Sequence, residues 1–553
     1  MNRTAKKLTS LAASFVMAVS ALPSGTYSLA AQMHELPESG RKGAAALTQS
    51  CSYSLPVLQR CGGDASSFEP MAAYSPVGAG DVPATEEQDE FPESFDMRNV
   101  YGMTSVKSQG TYGSCWAHAA IASAESSLLA EVPYIDLSEL HSSYYAYYGY
   151  DQLNSPSDDP IEILAEGGNS RIITNLWSQW IGPVNEERMK YDELSYFGSP
   201  ADIGRMQNMA DYHLRNAVCF DYTKDRSNYD EVNSIVKNFV YNGLAVDISY
   251  MSDKIRNWDS DYNTSNSNRK PRFANHAVTI VGWDDTFPAG RFRNFATKDG
   301  AWLCKNSWGT DDGDDGYMWI SYCDRSLEDF AVFELDDVNE HDKIYQYDSF
   351  IPVQTISAYE TAAETGPSYM ADIFTADERS EISAVGTYIY NAGTDYEITV
   401  YKDVRDPSDP SSGVPSAVTK GRCDLTGFFT LDLDEPVTVD KGERFAVSVK
   451  LYCEKSPFVI PIESSLYVED AFGAKYDLVS LTNDREILDY TGRSQSFFSV
   501  DGKNWGDVKD EELTYTEAEK KALLNSFIEQ LYDGLEEFDT ELMERAKEEE
   551  KKL

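Results

Sequence analysis

One of the eight cysteines stands in a setting that could make it a nucleophile. In Ser108-Gln109-Gly110-Thr111-Tyr112-Gly113-Ser114-Cys115-Trp116-Ala117, glycine and serine bring the backbone up to an alanine-rich helical run, with Cys115 at its first turn. Unpaired N–H groups and the helix dipole lower a thiol's pKa there, and the thiolate is the reactive form. A cysteine at a helix start is, by itself, more often an ordinary buried residue. Two further segments change that weighting. Asn275-His276-Ala277-Val278 opens an apolar run ending in Gly282-Trp283, in a chain with six histidines. Lys305-Asn306-Ser307-Trp308-Gly309 closes another such run. An Asn side chain can accept from one imidazole nitrogen and fix the tautomer, leaving the other nitrogen for a thiol. Trp308 could shield that bond from water. Gln109 lies six residues before Cys115, so its amide could donate to an oxyanion, with the Cys115 backbone N–H as second donor.

These residues need a helix and strands to hold them. Ala117 to Leu129 has helical spacing, and Ser138 to Tyr150 and Asn169 to Trp180 predict two more helices. After about residue 240 the pattern turns to strands: Ala277-Val278-Thr279-Ile280-Val281, Ala301-Trp302-Leu303-Cys304-Lys305 and Tyr317-Met318-Trp319-Ile320. Helices first and sheet second, over 91–335, predict an α+β unit of two subdomains with a cleft between them. Residues 343–508 read as a different object. Thr387-Tyr388-Ile389-Tyr390, Ile398-Thr399-Val400-Tyr401, Phe428-Phe429-Thr430-Leu431 and Phe445-Ala446-Val447-Ser448-Val449 are short strands spaced as in an all-β sandwich domain. Residues 510–553 are charged and helical. Leu524, Ile528, Leu531, Leu535, Phe538 and Leu542 form an apolar stripe, either packed on the protein or available to a partner.

The first 30 residues read as a signal peptide. Arg3, Lys6 and Lys7 precede the apolar stretch Leu8 to Leu22, and Ser28-Leu29-Ala30 offers a cleavage site after Ala30. Residues 31–90, rich in Ala, Ser, Gly, Pro and Glu, read as a presegment or linker that processing could remove. Export makes disulfides feasible. The neighbours Cys51–Cys61, Cys304–Cys323 and Cys423–Cys453 are candidate pairs, and free thiols are the alternative. With 47 Lys+Arg against 92 Asp+Glu, the net charge is −45, which opposes nucleic-acid binding. Asp311-Asp312-Gly313-Asp314-Asp315-Gly316 lacks the spacing of an EF-hand and reads as a hairpin turn. No Cys/His cluster has zinc spacing, so no metal or other cofactor is expected.

Taken together, Gln109-Gly110, Gly113-Ser114-Cys115-Trp116-Ala117, Gly167-Gly168, Asn275-His276-Ala277-Val278, Asn306-Ser307-Trp308-Gly309 and Gly316-Tyr317 resemble the papain-family cysteine peptidases, bacterial members in particular. Phe91-Pro92-Glu93-Ser94-Phe95-Asp96-Met97-Arg98 resembles the start of their mature domain. The resemblance implies Cys115 as nucleophile, His276 as general base and acid, Asn306 as its orienter and Gln109 as oxyanion donor. It implies Gly167 and Gly168 as the backbone strip that pairs with an extended substrate, with Trp308 at the substrate side. Tyr112 and His118 depart from the family, which often has a cysteine and a phenylalanine there. Cys115 and His276 stand 161 residues apart and His276 and Asn306 30 apart. An insertion at Asp284 to Gly300 is expected to project near the cleft. Residues 343–508 resemble the lectin-like domain that follows the peptidase in such bacterial proteins, through Tyr345-Gln346-Tyr347-Asp348, Gly442-Glu443-Arg444-Phe445, Ile462-Glu463-Ser464, Ser496-Phe497-Phe498-Ser499 and Gly502-Lys503-Asn504-Trp505. The expectation is a secreted or cell-surface endopeptidase acting on peptide or protein substrates through a thioester, with 343–508 serving either cell-surface or glycan contact or a packing or spacer role. It would have no nucleic-acid partner, and no membrane span after signal cleavage. The alternatives are a surface-binding or adhesion protein with an inactive peptidase-like domain, and a hydrolase of another amide.

Overall fold

The computed structural model describes residues 91–508, except 147–163, 165–166, 192–205, 224–225, 269–273, 348–353, 357, 359–365, 458, 463–466, 470–474 and 478–492. The signal peptide, the presegment with Cys51 and Cys61, and the C-terminal helix expected at 510–553 lie outside the described residues.

The peptidase-like part begins with β1 (Ser94–Asp96), a short helix α1 (Met97–Val100) and the central helix α2 (Cys115–Leu128). Helices α3 (Glu139–Tyr145) and α4 (Ser170–Ser178) pack beside α2. Then come β2 (Tyr212–Phe220), α5 (Tyr229–Tyr241), β3 (Val246–Tyr250), β4 (Trp258–Asp259), β5 (Thr264–Ser265), β6 (His276–Asp284), β7 (Ala301–Lys305), β8 (Tyr317–Ser321) and β9 (Glu328–Asp337). After β1, strands resume at Tyr212, earlier than the sequence pattern suggested, and α5 interrupts them. α2 is buried on nearly every side, from Trp116 to Leu128. Its alanines at 117, 119, 120, 122 and 124 let strands β3, β6 and β9 and helices α3 and α4 approach closely. β6 is a near-continuous apolar run because both faces are covered.

The lectin-like part supplies β10 (Gln354–Ile356), β11 (Ser368–Thr375), β12 (Ser380–Ile389), β13 (Thr394–Lys402), β14 (Val414–Cys423), β15 (Thr426–Val439), β16 (Arg444–Tyr452), β17 (Ile460–Ile462), β18 (Tyr467–Glu469), β19 (Lys475–Asp477), β20 (Ser496–Ser499) and β21 (Gly506–Asp507). β14-β13-β16-β11-β20-β21 form one sheet, while β10 pairs with β17 and β18 with β19. The other face of the sandwich is not a separate sheet. β12 and β15 join the peptidase strands in the order β12-β15-β2-β9-β3-β6-β7-β8-β5-β4, with β1 pairing β6 at the side. At the junction Thr426, Gly427, Phe428 and Phe429 pair with Cys219, Val218, Ala217 and Asn216. One apolar core accordingly runs from Val246 and Trp283 to Ile398 and Val449. The two parts read as separate objects in sequence because alternation shows that a strand has a buried face, not which strand lies beside it.

The candidate disulfides of the described part do not form: Cys304, Cys323, Cys423 and Cys453 belong to no disulfide. Cys423 pairs with Thr394 on one side of β13, while Tyr452, one residue before Cys453, pairs with Asp395 on its other side. Two strand spacings, about 9–10 Å, exceed the roughly 7 Å that a disulfide spans between Cα atoms. Cys304 pairs with Met318 in the β7–β8 ladder, so Cys323 lies several residues further along.

Gly427 has φ +143°, and a Cβ there would stand 2.0 Å from the Ala217 carbonyl oxygen. Gly427→Val should therefore destabilise the chain by about 3 kcal/mol or more. Because the sheet is shared, calorimetry should show both parts losing stability together, not a sandwich that melts alone.

Candidate active site

The register of β6 against β7, with Thr279 opposite Lys305, brings the first residue of β6 and the residue after β7 to the same end of the sheet. There the His276 Nε2 and the Asn306 Oδ1 lie 2.8 Å apart. The Ser307 backbone N–H donates to the same Oδ1 at 2.8 Å. An atom that accepts from a backbone amide must be oxygen, so His276 Nε2 is the donor and Nδ1 is left unprotonated. The Trp308 ring stacks on the imidazole, with centroids 4.4 Å apart and planes 17° apart. The sequence reading expected Trp308 to shield the His276–Asn306 bond, and the ring lies flat against the imidazole.

Cys115 is the first residue of α2, half-buried, and α2 packs against β6. The backbone amides of Ala277, Trp116 and Cys115 itself face its sulfur. Since Ala277 directly follows His276, the sulfur meets the backbone at the start of β6, one residue from the one that carries the imidazole. Burial pushes the Cys115 thiol up to about 11, the reverse of the helix-start expectation, because desolvation outweighs the amides. Burial likewise lowers the His276 imidazole to about 4, against the opposing effect of its Asn306 bond. Either charge alone is disfavoured here, whereas passing the thiol proton to the imidazole creates both charges together without changing the net charge.

Gln109 arrives on the other side. Its backbone N–H donates to the Ser307 carbonyl at 2.8 Å. Its Oε1 accepts from Ser307 Oγ at 2.7 Å, and its Nε2 donates to the Tyr112 carbonyl at 2.7 Å. One of the two Nε2 hydrogens is thus engaged and the other is available for an oxyanion. Gly168 is buried against the Trp116 indole, where a Cβ would come within 2.3 Å of the ring; Gly167 beside it is half-buried. This close approach requires glycine and keeps the strip as bare backbone.

Sequence reasoning missed several positioning residues. Tyr191 Oη lies 2.6 Å from Ser114 Oγ and donates to the Gln109 carbonyl at 3.0 Å. One phenol therefore ties the turn before Cys115 to Gln109. Its ring meets His118 edge-on at 4.9 Å, and His118 Nδ1 lies 2.9 Å from the Ser114 carbonyl. His118 is thus a packed helix residue, and burial lowers it to about 3. Beneath the site, Lys107 Nζ meets Glu139 at 2.8 Å, Asp136 at 2.7 Å and Glu125 at 3.5 Å. Burial pulls that ammonium down, but the carboxylates outweigh it and hold it above its usual range. No local motif marks these residues, because their partners are distant in sequence.

The insertion after Asp284 does not start near the cleft. It leaves the far end of β6, eight residues from His276, or roughly 26 Å along the strand. There Phe287, Phe292, Ala296 and Ala301 form a small core of their own.

Residues 91–328 match the family model "Papain family cysteine protease", and residues 344–477 match "Lectin like domain". This chain carries a papain-family cysteine peptidase domain followed by a lectin-like domain. A cysteine protease of Blomia tropicalis is 26% identical over 273 residues, covering 46% of this chain and 68% of the relative. A viral cathepsin of Adoxophyes honmai nucleopolyhedrovirus is 29% identical over 242 residues, covering 42% of this chain. The chain spans 58% of that cathepsin's length. Two structures of the clostridial cysteine protease Cwp84 share the fold of both domains. One, after propeptide cleavage, has a TM-score of 0.59 at 20% identity, covering 76% of this chain and 95% of that one. The other, the protease and lectin-like domains from Clostridium difficile, has a TM-score of 0.58 at 19% identity, covering 76% of this chain and 86% of that one. No helix among the described residues is long and apolar enough to cross a membrane.

Two outcomes follow for the peptidase domain. Tyr191→Phe leaves the Gln109 carbonyl and Ser114 hydroxyl short of a partner, at about 1–3 kcal/mol. Steady-state kinetics should show a lower kcat, with thermal stability falling alongside. As pH drops through about 4, His276 takes a proton and ceases to be a base. The kcat/KM profile should fall on that acid limb and decline again only where the thiol ionises, towards about 11.

Proposed function

We propose that the protein is a secreted endopeptidase that hydrolyses peptide bonds through a thioester on Cys115. The observation that carries this reading is the His276–Asn306 hydrogen bond at 2.8 Å, with the unprotonated imidazole nitrogen left for the adjoining thiol. In the first step the Cys115 proton passes to His276 Nδ1 as the sulfur attacks the substrate carbonyl carbon. The carbonyl π electrons move to oxygen, where Gln109 Nε2 and the Cys115 N–H stabilise them. The tetrahedral intermediate then collapses, the C–N bond breaks, and His276 returns its proton to the leaving amine. Water, deprotonated by His276, attacks the thioester. A second collapse releases the acid and returns the proton to the thiolate. Gly167 and Gly168 would offer backbone groups to an extended substrate, with Trp308 at the rim.

Secretion rests on the signal-like pattern of residues 1–30, and presegment processing on the composition of 31–90. One of the Cwp84 structures is described as that of a surface-layer-associated protein. A surface location with glycan contact through 343–508 is the corresponding proposal here. A surface-binding protein with an inactive peptidase domain is the rival reading, favoured by the lectin-like domain but opposed by the intact Cys115, His276, Asn306 and Gln109 set.

Cys115→Ala, or alkylation of the native thiol, should lower cleavage of a dye-labelled unfolded casein by about a thousandfold or more. Cleavage that survives both treatments would sink the Cys115 role. A native chain that cleaves nothing, yet binds glycan on an array, would favour the rival.

A further inference from the structure

Asn306 has a third contact that the mechanism above does not use. Its Nδ2 donates to Asp312 Oδ2 at 3.3 Å. Asp312 lies in the turn between β7 and β8, where its own carbonyl accepts from the Gly316 N–H at 2.8 Å and its N–H donates to the Gly309 carbonyl at 3.4 Å. The other Asp312 oxygen lies 3.2 Å from Lys254 Nζ. That ammonium also sits 4.3 Å from the centroid of the Trp308 ring, the ring stacked on His276. An anion thus touches the far side of the amide that orients the imidazole, and a cation touches the ring that covers it.

We infer that Asp312 and Lys254 form an opposed charge pair that positions Asn306 and sets how readily His276 accepts a proton. Asp312 is an acceptor only, so it pins the amide nitrogen outward. A flipped Asn306 would set oxygen against carboxylate and face His276 with a donor, reversing the tautomer. Asp312 also favours the imidazolium that forms during catalysis, while Lys254 opposes it. The other groups near His276 are His118 from α2, Tyr250 from β3, Asn306 after β7 and Trp308 beyond it, with the Cys115 sulfur against the amide of the next residue, Ala277. Asp312 and Lys254 are the side chains of opposite charge type among them. The Asp312 side chain is 24% exposed and that of Lys254 55%. Solvent screening therefore keeps both effects modest, at about half a pH unit for Asp312 and less for the more exposed Lys254.

Both are positioning residues, and the inference rests on the peptidase reading above. The test uses the full chain, with labelled unfolded casein and, independently of substrate, the pH dependence of Cys115 alkylation by iodoacetamide. Asp312→Asn should move the acid limb down by about half a unit and lower kcat about three- to tenfold with KM little changed. Lys254→Met, at an exposed side chain, should move the limb up by a few tenths. Asp312→Glu should recover part of the lost kcat. Limbs that stay put in both variants, or move in the same direction, overturn the inference. Should Cys115→Ala still cleave, the peptidase reading fails instead. If Asp312→Asn does not fold, Lys254→Met decides alone, since an unmoved limb there rejects the pair.

Discussion

The hydrogen bond between His276 and Asn306 exists because two antiparallel strands are held in one register. His276 opens β6 and Asn306 follows β7, so a one-residue slip of either strand would turn the imidazole or the carboxamide to the opposite face. That register is secured from both sides. β3 pairs with β6 through Tyr250 opposite His276, and β8 pairs with β7 from Ala301 to Lys305. The thiol is located by a different element, the buried start of α2, whose small residues let it lie against β6. A two-part site of this kind needs the helix and the sheet to be locked to each other as firmly as each is internally.

Buried charge supplies that lock. Lys107 binds Glu125 on α2, Glu139 on α3 and the Leu137 carbonyl between them. Thr104 donates to Glu125, and Lys305, adjacent to Asn306, donates to Thr104 at 2.9 Å. A continuous polar chain therefore runs from the helical side, through the segment leading to Gln109, to the strand leading to Asn306. Such pairs add little net stability, because desolvation offsets their attraction. Their geometry is specific, however, and here they set the relative placement of the helix that begins at Cys115 and the sheet that carries His276. The same desolvation holds Cys115 and His276 neutral when apart, so the dry setting that locks the scaffold also makes the reactive ion pair a joint event.

The local pieces of the site were legible because each carries its own geometry. Glycine and serine before Cys115 announce a helix start, Asn275-His276-Ala277-Val278 a strand start, and Lys305-Asn306 a strand end. Tyr191 and Lys107 were not legible, since their roles lie in contacts with residues far along the chain: 77 positions separate Tyr191 from Ser114. The Cys423–Cys453 pairing failed for the converse reason. Nearness in sequence says nothing about the strand β13 inserted between them. The insertion's position could have been read more closely. A run from His276 to Asp284 is long enough to start the insertion at the opposite end from the histidine. Asp312 was visible as part of an acidic turn, but its contact with Asn306 depends on how that turn folds back.

The shared sheet changes how the lectin-like part should be understood. A tethered binding domain would sample many orientations, and its ligand would bear on catalysis only through local concentration. Here β15 is hydrogen-bonded to β2, β2 to β9, β9 to β3 and β3 to β6. Four ladder steps therefore join the sandwich to the strand that carries His276. α2 rests on three of those same strands, β3, β6 and β9. Surface bound by the sandwich would be presented to the cleft at a fixed distance and angle. The sandwich also covers what would otherwise be an open edge at β2, a face prone to non-specific pairing. That structural service is independent of any sugar, and it gives residues 343–508 a physical role whether or not they recognise a glycan.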